Sequence, residues 1–164
     1  MNTLEKVKAE GLAAAEHPFT VCFICTGNTC RSPMAAALLR AKGLRATSAG
    51  LFATGAPIAE NAVAALEKAG VPSTPDNPYA SHRSRGIDEE TVAVCDRIVG
   101  MTSTHALQLM AAFPAHARKI TCMPHDIPDP FGGDEAAYDA CLAAIEAGLC
   151  ELFFAENEHE NGNS

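Results

Sequence analysis

At 164 residues, with 48% hydrophobic and 20% charged side chains, the chain has the size and composition of one ordinary globular domain with a full core. Its formal net charge of -8 opposes general nucleic-acid binding, because nothing would offset phosphate repulsion. No apolar run approaches ~20 residues, which excludes a membrane-spanning helix, and seven unevenly spaced cysteines without a secretory signal point to a reducing cytoplasm.

Residues 1–17 read as an extension, with Glu5, Lys6, Lys8 and Glu10 interrupting any signal-peptide core. A single domain is expected over residues 18–155, followed by a polar tail at 156–164. Phe19 to Ile24 is apolar except at Thr20 and predicts a strand buried on both faces. Ser32 as N-cap and Pro33 as first helical residue predict a helix through Met34, Ala37, Leu38 and Ala41. Arg40 and Lys42 suit its last turn, and Gly43 its stop. Ala46–Ala49 reads as a second strand. A helix follows over Ile58–Ala69, with Val63 and Leu66 on one face and Gly70 at its end. Val71–Ser84 reads as a long surface connection. Asp88 caps a helix reaching Cys95, and Arg97–Met101 is a third strand. A Thr102-capped helix carries Leu107 and Met110, Lys119–Cys122 is the fourth strand, and Asp134 caps a last helix with a stripe at Tyr138, Leu142, Ile145, Leu149 and Leu152. Alternating strands and helices imply right-handed crossovers, a parallel sheet, and ligand binding beyond the strands' C-terminal ends.

The stretch Val21-Cys-Phe-Ile-Cys25-Thr-Gly-Asn-Thr-Cys-Arg31-Ser32-Pro33 carries the chemistry. The loop from Cys25 to Arg31 joins a strand to a helix N-terminus, where unpaired N–H groups form an anion site. Gly27 permits close backbone approach and Asn28 tolerates left-handed geometry, so successive amides can form a concave nest. Cys25 at its base is favoured as thiolate by the amides, the helix end and Arg31. Arg31 can grip two phosphoryl oxygens with its planar fork, and Ser32 can donate to the sulfur. Attack on phosphorus expels a leaving group that departs better when protonated. Asp129, in Ile127-Pro-Asp-Pro-Phe-Gly-Gly133, is the chosen acid. Pro128 and Pro130 stiffen its loop, and Gly132 and Gly133 let it turn back. Asp134 reads better as a cap, and Asp126 as a loop carboxylate without a clear role. Cys22-x2-Cys25 could be half a metal site or a redox pair, but no partner pair stands at zinc spacing. Cys30 lies in the same turn as Cys25, which suggests a reversible disulfide between them under oxidant. Cys95, Cys122, Cys141 and Cys150 read as small core residues. No residue pattern calls for a metal or an organic cofactor, and none speaks to an oligomeric state.

At these residues the chain resembles the low-molecular-weight protein tyrosine phosphatase family, which carries Cys-x-Gly-Asn-x-Cys-Arg-Ser-Pro near its N-terminus and an Asp-Pro pair about a hundred residues later. Thr47-Ser-Ala-Gly-Leu-Phe-Ala53, Ser81-His-Arg-Ser-Arg85 and Asp96-Arg-Ile-Val-Gly-Met-Thr102 extend the likeness over residues 19–153. The resemblance implies an α/β three-layer sandwich with a central four-stranded parallel sheet. It implies Cys25 as nucleophile, Arg31 as phosphate clamp, Asp129 as proton donor, and phosphorylated proteins as substrates. Thr26, Gly27, Asn28, Thr29, Cys30 and Ser32 then form the phosphate-binding loop, with Ser48 and His82 as support. His82 could equally be a surface residue, and His105 and His125 read as bland.

Within the family, tyrosine-specific members usually carry an aliphatic residue where this chain has Thr29. The protein-arginine-phosphatase branch is similar to this chain from Cys25 to Ser32, in Ser48-Ala-Gly-Leu-Phe-Ala53 and in Asp129-Pro-Phe-Gly-Gly133. A hydroxyl offers an acceptor to guanidinium N–H groups, whereas Ile packs better on a ring. With no Trp and two Tyr in the chain, Phe52 and Phe131 are the main candidate walls for a phenyl ring. Phosphoarginine is therefore preferred over phosphotyrosine. Arsenate reduction would need further cysteines in Thr102–Pro114, where there are none. A phosphocysteine carrier would be defeated by Arg31 and Asp129, which promote hydrolysis, and a non-catalytic phosphoprotein-binding module would need neither Cys25 nor Asp129.

Overall fold

In a computed structural model the described residues are 18–155, so the expectations for 1–17 and 156–164 lie outside them. Four strands, β1 (Thr20–Cys25), β2 (Arg45–Gly50), β3 (Arg97–Gly100) and β4 (Ile120–Cys122), form one sheet. All neighbours are parallel and the order is β2-β1-β3-β4, with Phe23 opposite Ser48 on one side and Val99 on the other. Helices α1 (Arg31–Ala41), α2 (Glu60–Lys68), α3 (Glu89–Val94), α4 (Ser103–Ala112) and α5 (Glu135–Phe153) cover it. This is the parallel sheet that the alternation of elements implies and the α/β sandwich that the family resemblance implies.

Strand alternation divides the core. Val21, Phe23 and Cys25 pack with α1, α2 and α5, while Cys22, Ile24 and Ile98 pack with Val92, Ala106 and Leu109 of α3 and α4. Cys22 and Cys25 therefore face opposite sides of the sheet, and the metal or redox reading of that pair fails on geometry. The chain leaves β1 toward β2 on one side, while β3 lies on the other. Cys25 thus ends the strand at the point where strand order reverses, the crevice where open α/β sheets bind ligands.

Three caps form as expected: Asp88 accepts from Thr91 N at 2.8 Å, Thr102 from His105 N at 3.2 Å, and Asp134 from Ala137 N at 3.0 Å. Gly43 stops α1 with φ 90°. Four expectations need correction. Helix α1 starts at Arg31 with Cys30 in the cap position and no side-chain cap, so Ser32 lies inside the first turn; its hydroxyl is already engaged by Cys25 and Asn28. On α4 the inward face carries His105, Ala106 and Leu109, while Leu107 is 68% exposed; the apolar residues there are out of phase with the packed stripe. The 71–84 connection is not wholly a surface loop, since Tyr79 is 1% exposed and Asn77 donates to Ala37 O at 2.9 Å. Cys150 is exposed and Cys122 half-buried, so only Cys95 and Cys141 of the four proposed core thiols are buried.

Candidate active site

The backbone turn after β1 is closed by its own polar groups. Asn28 adopts φ 58°, the only non-glycine residue with positive φ among the described residues. That twist carries its N–H to 3.2 Å from Cys25 Sγ. Ser32 Oγ, from the first turn of α1, approaches the same sulfur at 2.9 Å. The thiol is 3% exposed, so these contacts rather than water surround it.

Asn28 is completely buried and uses every polar atom it has. Its Nδ2 donates to Ser32 Oγ at 2.7 Å and Ser48 Oγ at 3.0 Å, its Oδ1 accepts from Arg85 N at 3.0 Å, and its carbonyl O meets His82 Nε2 at 2.8 Å. The two residues expected to support the loop, Ser48 and His82, both meet it through Asn28. Burial holds His82 below the ordinary histidine range, so the ring is neutral at pH 7 and donates from Nε2 to that carbonyl.

Gly50 ends β2 directly behind this turn. A Cβ there would lie 2.8 Å from Thr26 O and 2.9 Å from Asn28 Cβ, so the turn packs on β2 only because Gly50 has no side chain. At Gly27, by contrast, a Cβ would meet only Thr29 Oγ1, at 3.9 Å, so the space there opens outward. Thr26 is exposed and Thr29 half-buried. The remaining loop residue, Cys30, is buried with its sulfur 3.3 Å from Tyr138 Oη on α5. Burial and this contact push the Tyr138 phenol well above its usual value. Burial likewise lifts Cys141, beside Pro128 O, to about 12, so it stays a thiol.

Arg31 is 6% exposed and reaches from α1 to the loop after β4. Its Nη1 donates to Ile127 O at 3.1 Å, and its Nη2 lies 3.6 Å from Asp129 Oδ2. Ile127 N donates back to Met101 O at 3.0 Å, fixing the base of that loop on the end of β3. Asp129 itself is 53% exposed and accepts from Phe131 N at 3.1 Å. Gly132, at φ 79°, and the Gly133 N to Pro130 O bond of 2.8 Å make the turn that returns the loop to α5. Phe52 and Phe131 project outward, 70% and 77% exposed, from the segments that follow β2 and Asp129. Asp126, left without a role above, caps the amide of Ser103 at 2.8 Å. A buried thiol at the base of an amide turn, and a guanidinium from the helix that follows the turn tied to a carboxyl, are the group types that cysteine-dependent phosphoryl chemistry uses, and they make this end of the sheet the candidate site.

Sequence reasoning missed three contributors. Arg85 N and Gly50 hold the turn from outside; the Ser81–Arg85 and Ser48–Ala53 segments were noticed, but not these atoms. His105, read as bland, is 5% exposed with Nε2 3.0 Å from Thr26 Oγ1. Its place at the third position of a capped helix was a signal for the capping contact but none for Thr26.

The comparisons agree with this class. The family described as low molecular weight phosphotyrosine protein phosphatase matches residues 20–161, and the chain belongs to it. A protein-arginine-phosphatase of Geobacillus stearothermophilus is 36% identical over 79% of this chain and 90% of its own length. A low molecular weight protein-tyrosine-phosphatase of Streptomyces coelicolor is 30% identical over 89% of this chain and 98% of its own. Among solved structures, the YwlE arginine phosphatase from Geobacillus stearothermophilus superposes with a TM-score of 0.74 at 33% identity, covering 90% of this chain and 98% of that one. A YwlE variant with a phosphorylated active-site serine superposes at 0.73 and 30% identity, covering 82% of this chain and 93% of that one. The protein is a cysteine-based phosphoprotein phosphatase. No helix among the described residues is long and apolar enough to cross a membrane.

Proposed function

We propose that the chain removes phosphate from protein phosphoarginine, with Cys25, Arg31 and Asp129 as its catalytic residues. The Cys25 thiolate attacks phosphorus, forming an S–P bond as the bond from phosphorus to the guanidine nitrogen breaks. Asp129 gives that nitrogen its proton. The amides of Thr26 to Arg31 and the guanidinium of Arg31 hold the three equatorial oxygens. Asp129, now ionised, takes a proton from water as the water attacks phosphorus, and phosphate leaves with Cys25 restored as thiolate.

The substrate preference rests on one observation. The half-buried Thr29 hydroxyl borders the open space at Gly27, and its side-chain contact is a thiol, Cys30 Sγ at 3.6 Å. A thiol is a weak partner, so the hydroxyl oxygen keeps capacity to accept from a guanidinium N–H. A phosphotyrosine reading draws on Phe52 and Phe131, whose rings are exposed and free to pack on a phenyl group.

The ratio of kcat/KM for phosphoarginine and phosphotyrosine peptides tests this directly. The parent should favour phosphoarginine, and Thr29→Ile should reverse the ratio by at least ~10-fold, the scale expected when a buried polar contact is lost to one substrate only. A parent that prefers phosphotyrosine refutes the assignment.

A further inference from the structure

His105 stands on α4, apart from the elements that carry Cys25, Arg31 and Asp129. Both of its ring nitrogens are engaged. Nδ1 lies 3.2 Å from Thr102 N, and that N–H can only donate. Nδ1 is therefore an acceptor, and a neutral ring carries its proton on Nε2. Nε2 in turn lies 3.0 Å from Thr26 Oγ1, so this bond runs from the ring to the hydroxyl. Thr26 directly follows Cys25, and its carbonyl accepts from Phe52 N at 2.9 Å. The first residue of the loop is thus pinned through its backbone to the exit of β2 and through its side chain to α4.

Helix α4 is itself placed closely. A Cβ on Gly100 would come within 2.9 Å of both Ala106 N and His105 Cβ, so β3 and α4 meet at backbone distance and the ring has little room to drift.

We propose that His105 is a positioning residue for the phosphate-binding loop: in its neutral form it donates Nε2–H to Thr26 and holds the residue after the nucleophile in the orientation a phosphoryl group meets. The proposal rests on Cys25–Ser32 being that loop. It also carries a pH dependence. A second proton would go to Nδ1, where the Thr102 N–H already points at 3.2 Å; it would be left to Thr102 Oγ1, 3.0 Å away and already accepting from His105 N, so the cap of α4 would have to rearrange. Arg31 repels an imidazolium here, while Asp126 and Asp129 attract it; burial and Arg31 prevail, and the ring titrates below the ordinary histidine value. The Nε2–H bond to Thr26 survives protonation, so acid acts on the loop by unseating the ring at the cap, through a group distinct from Cys25 and Asp129.

Two isosteres separate the ring's two bonds. His105→Asn sets a carbonyl oxygen where Nδ1 was, which keeps the cap but does not reach Thr26. His105→Gln sets an amide N–H where Nε2 was, which reaches Thr26 but gives up the cap. With p-nitrophenyl phosphate at pH 7, His105→Asn should lose ~10-fold or more in kcat at a melting temperature near the parent's, the scale for a misplaced reacting group. Thr26→Val should match that loss. His105→Gln should melt ~2–4 °C lower, as for a lost cap in a chain of this size, yet keep several times the kcat of His105→Asn. Its kcat/KM should also hold to lower pH than the parent's. Equal losses in the two variants, the reverse order, or an acid limb unmoved in His105→Gln would overturn the proposal. A parent without turnover would remove the loop reading and this inference together.

Discussion

The cup around Cys25 and the loop that carries Asp129 are built in opposite ways. At the cup, a fully buried Asn28 joins Ser32, Ser48, Arg85 and His82, and Gly50 lets the strand behind it press close. At the loop, Ile127 is anchored at both its N–H and its carbonyl, but beyond it the carboxyl is half-exposed and its bonds are mostly local. Oriented dipoles must already be in place when charge develops on the phosphoryl oxygens, because reorganising them during reaction adds to the barrier. A proton donor must instead give way to a bulky peptide on entry and to product on exit. On the roles proposed for Cys25 and Asp129, the contrast puts rigidity where this chemistry needs it and freedom where rigidity would hinder it.

The largest test of that contrast is Cys25→Ser. Turnover should vanish while inorganic phosphate still binds, because the amides and Arg31 remain; calorimetric titration with phosphate checks this, and loss of binding would mean that the sulfur shapes the cup. Asp129→Asn comes next. Its kcat should fall ~10²–10⁴-fold on a poor leaving group, with a much smaller fall on p-nitrophenyl phosphate. Its unfolding free energy should change by no more than ~1 kcal/mol, since the carboxyl is half-exposed and its ion pair is long. A cost under ~10-fold on the poor leaving group would assign the proton to another residue.

Asn28→Ala should do what Asp129→Asn does not, lowering activity and stability together. It strands Ser48 and the Arg85 amide and puts a Cβ-only residue at positive φ, for a loss of about 2–4 kcal/mol in urea unfolding. A stable but inactive variant would show that the loop holds its shape without Asn28. The smallest effect is on pH. His82 and His105 are both held below the ordinary histidine value by burial. The unfolded chain therefore binds their protons first, so the stability they contribute is complete above about pH 6.5 and is lost as pH falls below it. The urea midpoint should drop between pH 7 and pH 5.5, and less so in His82→Gln; a midpoint that rises over that interval contradicts the assignment.

Much of this architecture was legible in the chain because its signals are local. Asp88, Thr102 and Asp134 cap their helices three residues ahead, and an apolar run from Val21 to Ile24 suits a strand covered on both faces. The errors arose where a local rule met a tertiary competitor. Ser32 has the chemistry of a cap, yet Cys25 and Asn28 claim its hydroxyl. Leu107 has the hydropathy of a core residue, yet the side of α4 that meets β3 is set by Gly100, and Leu107 points away from it.

By itself the sequence determined the strand, turn and helix that carry a thiol, a row of amides and a guanidinium, because all three lie within seven consecutive residues. Only the tertiary structure decided what holds them in place. His82, Arg85 and His105 reach the turn from 54, 57 and 79 residues away, and Asp129 reaches Arg31 from the far side of β4. Contacts at such separations leave no periodicity in the chain; they exist because a parallel sheet gathers the ends of all its strands, and the loops that follow them, along one edge.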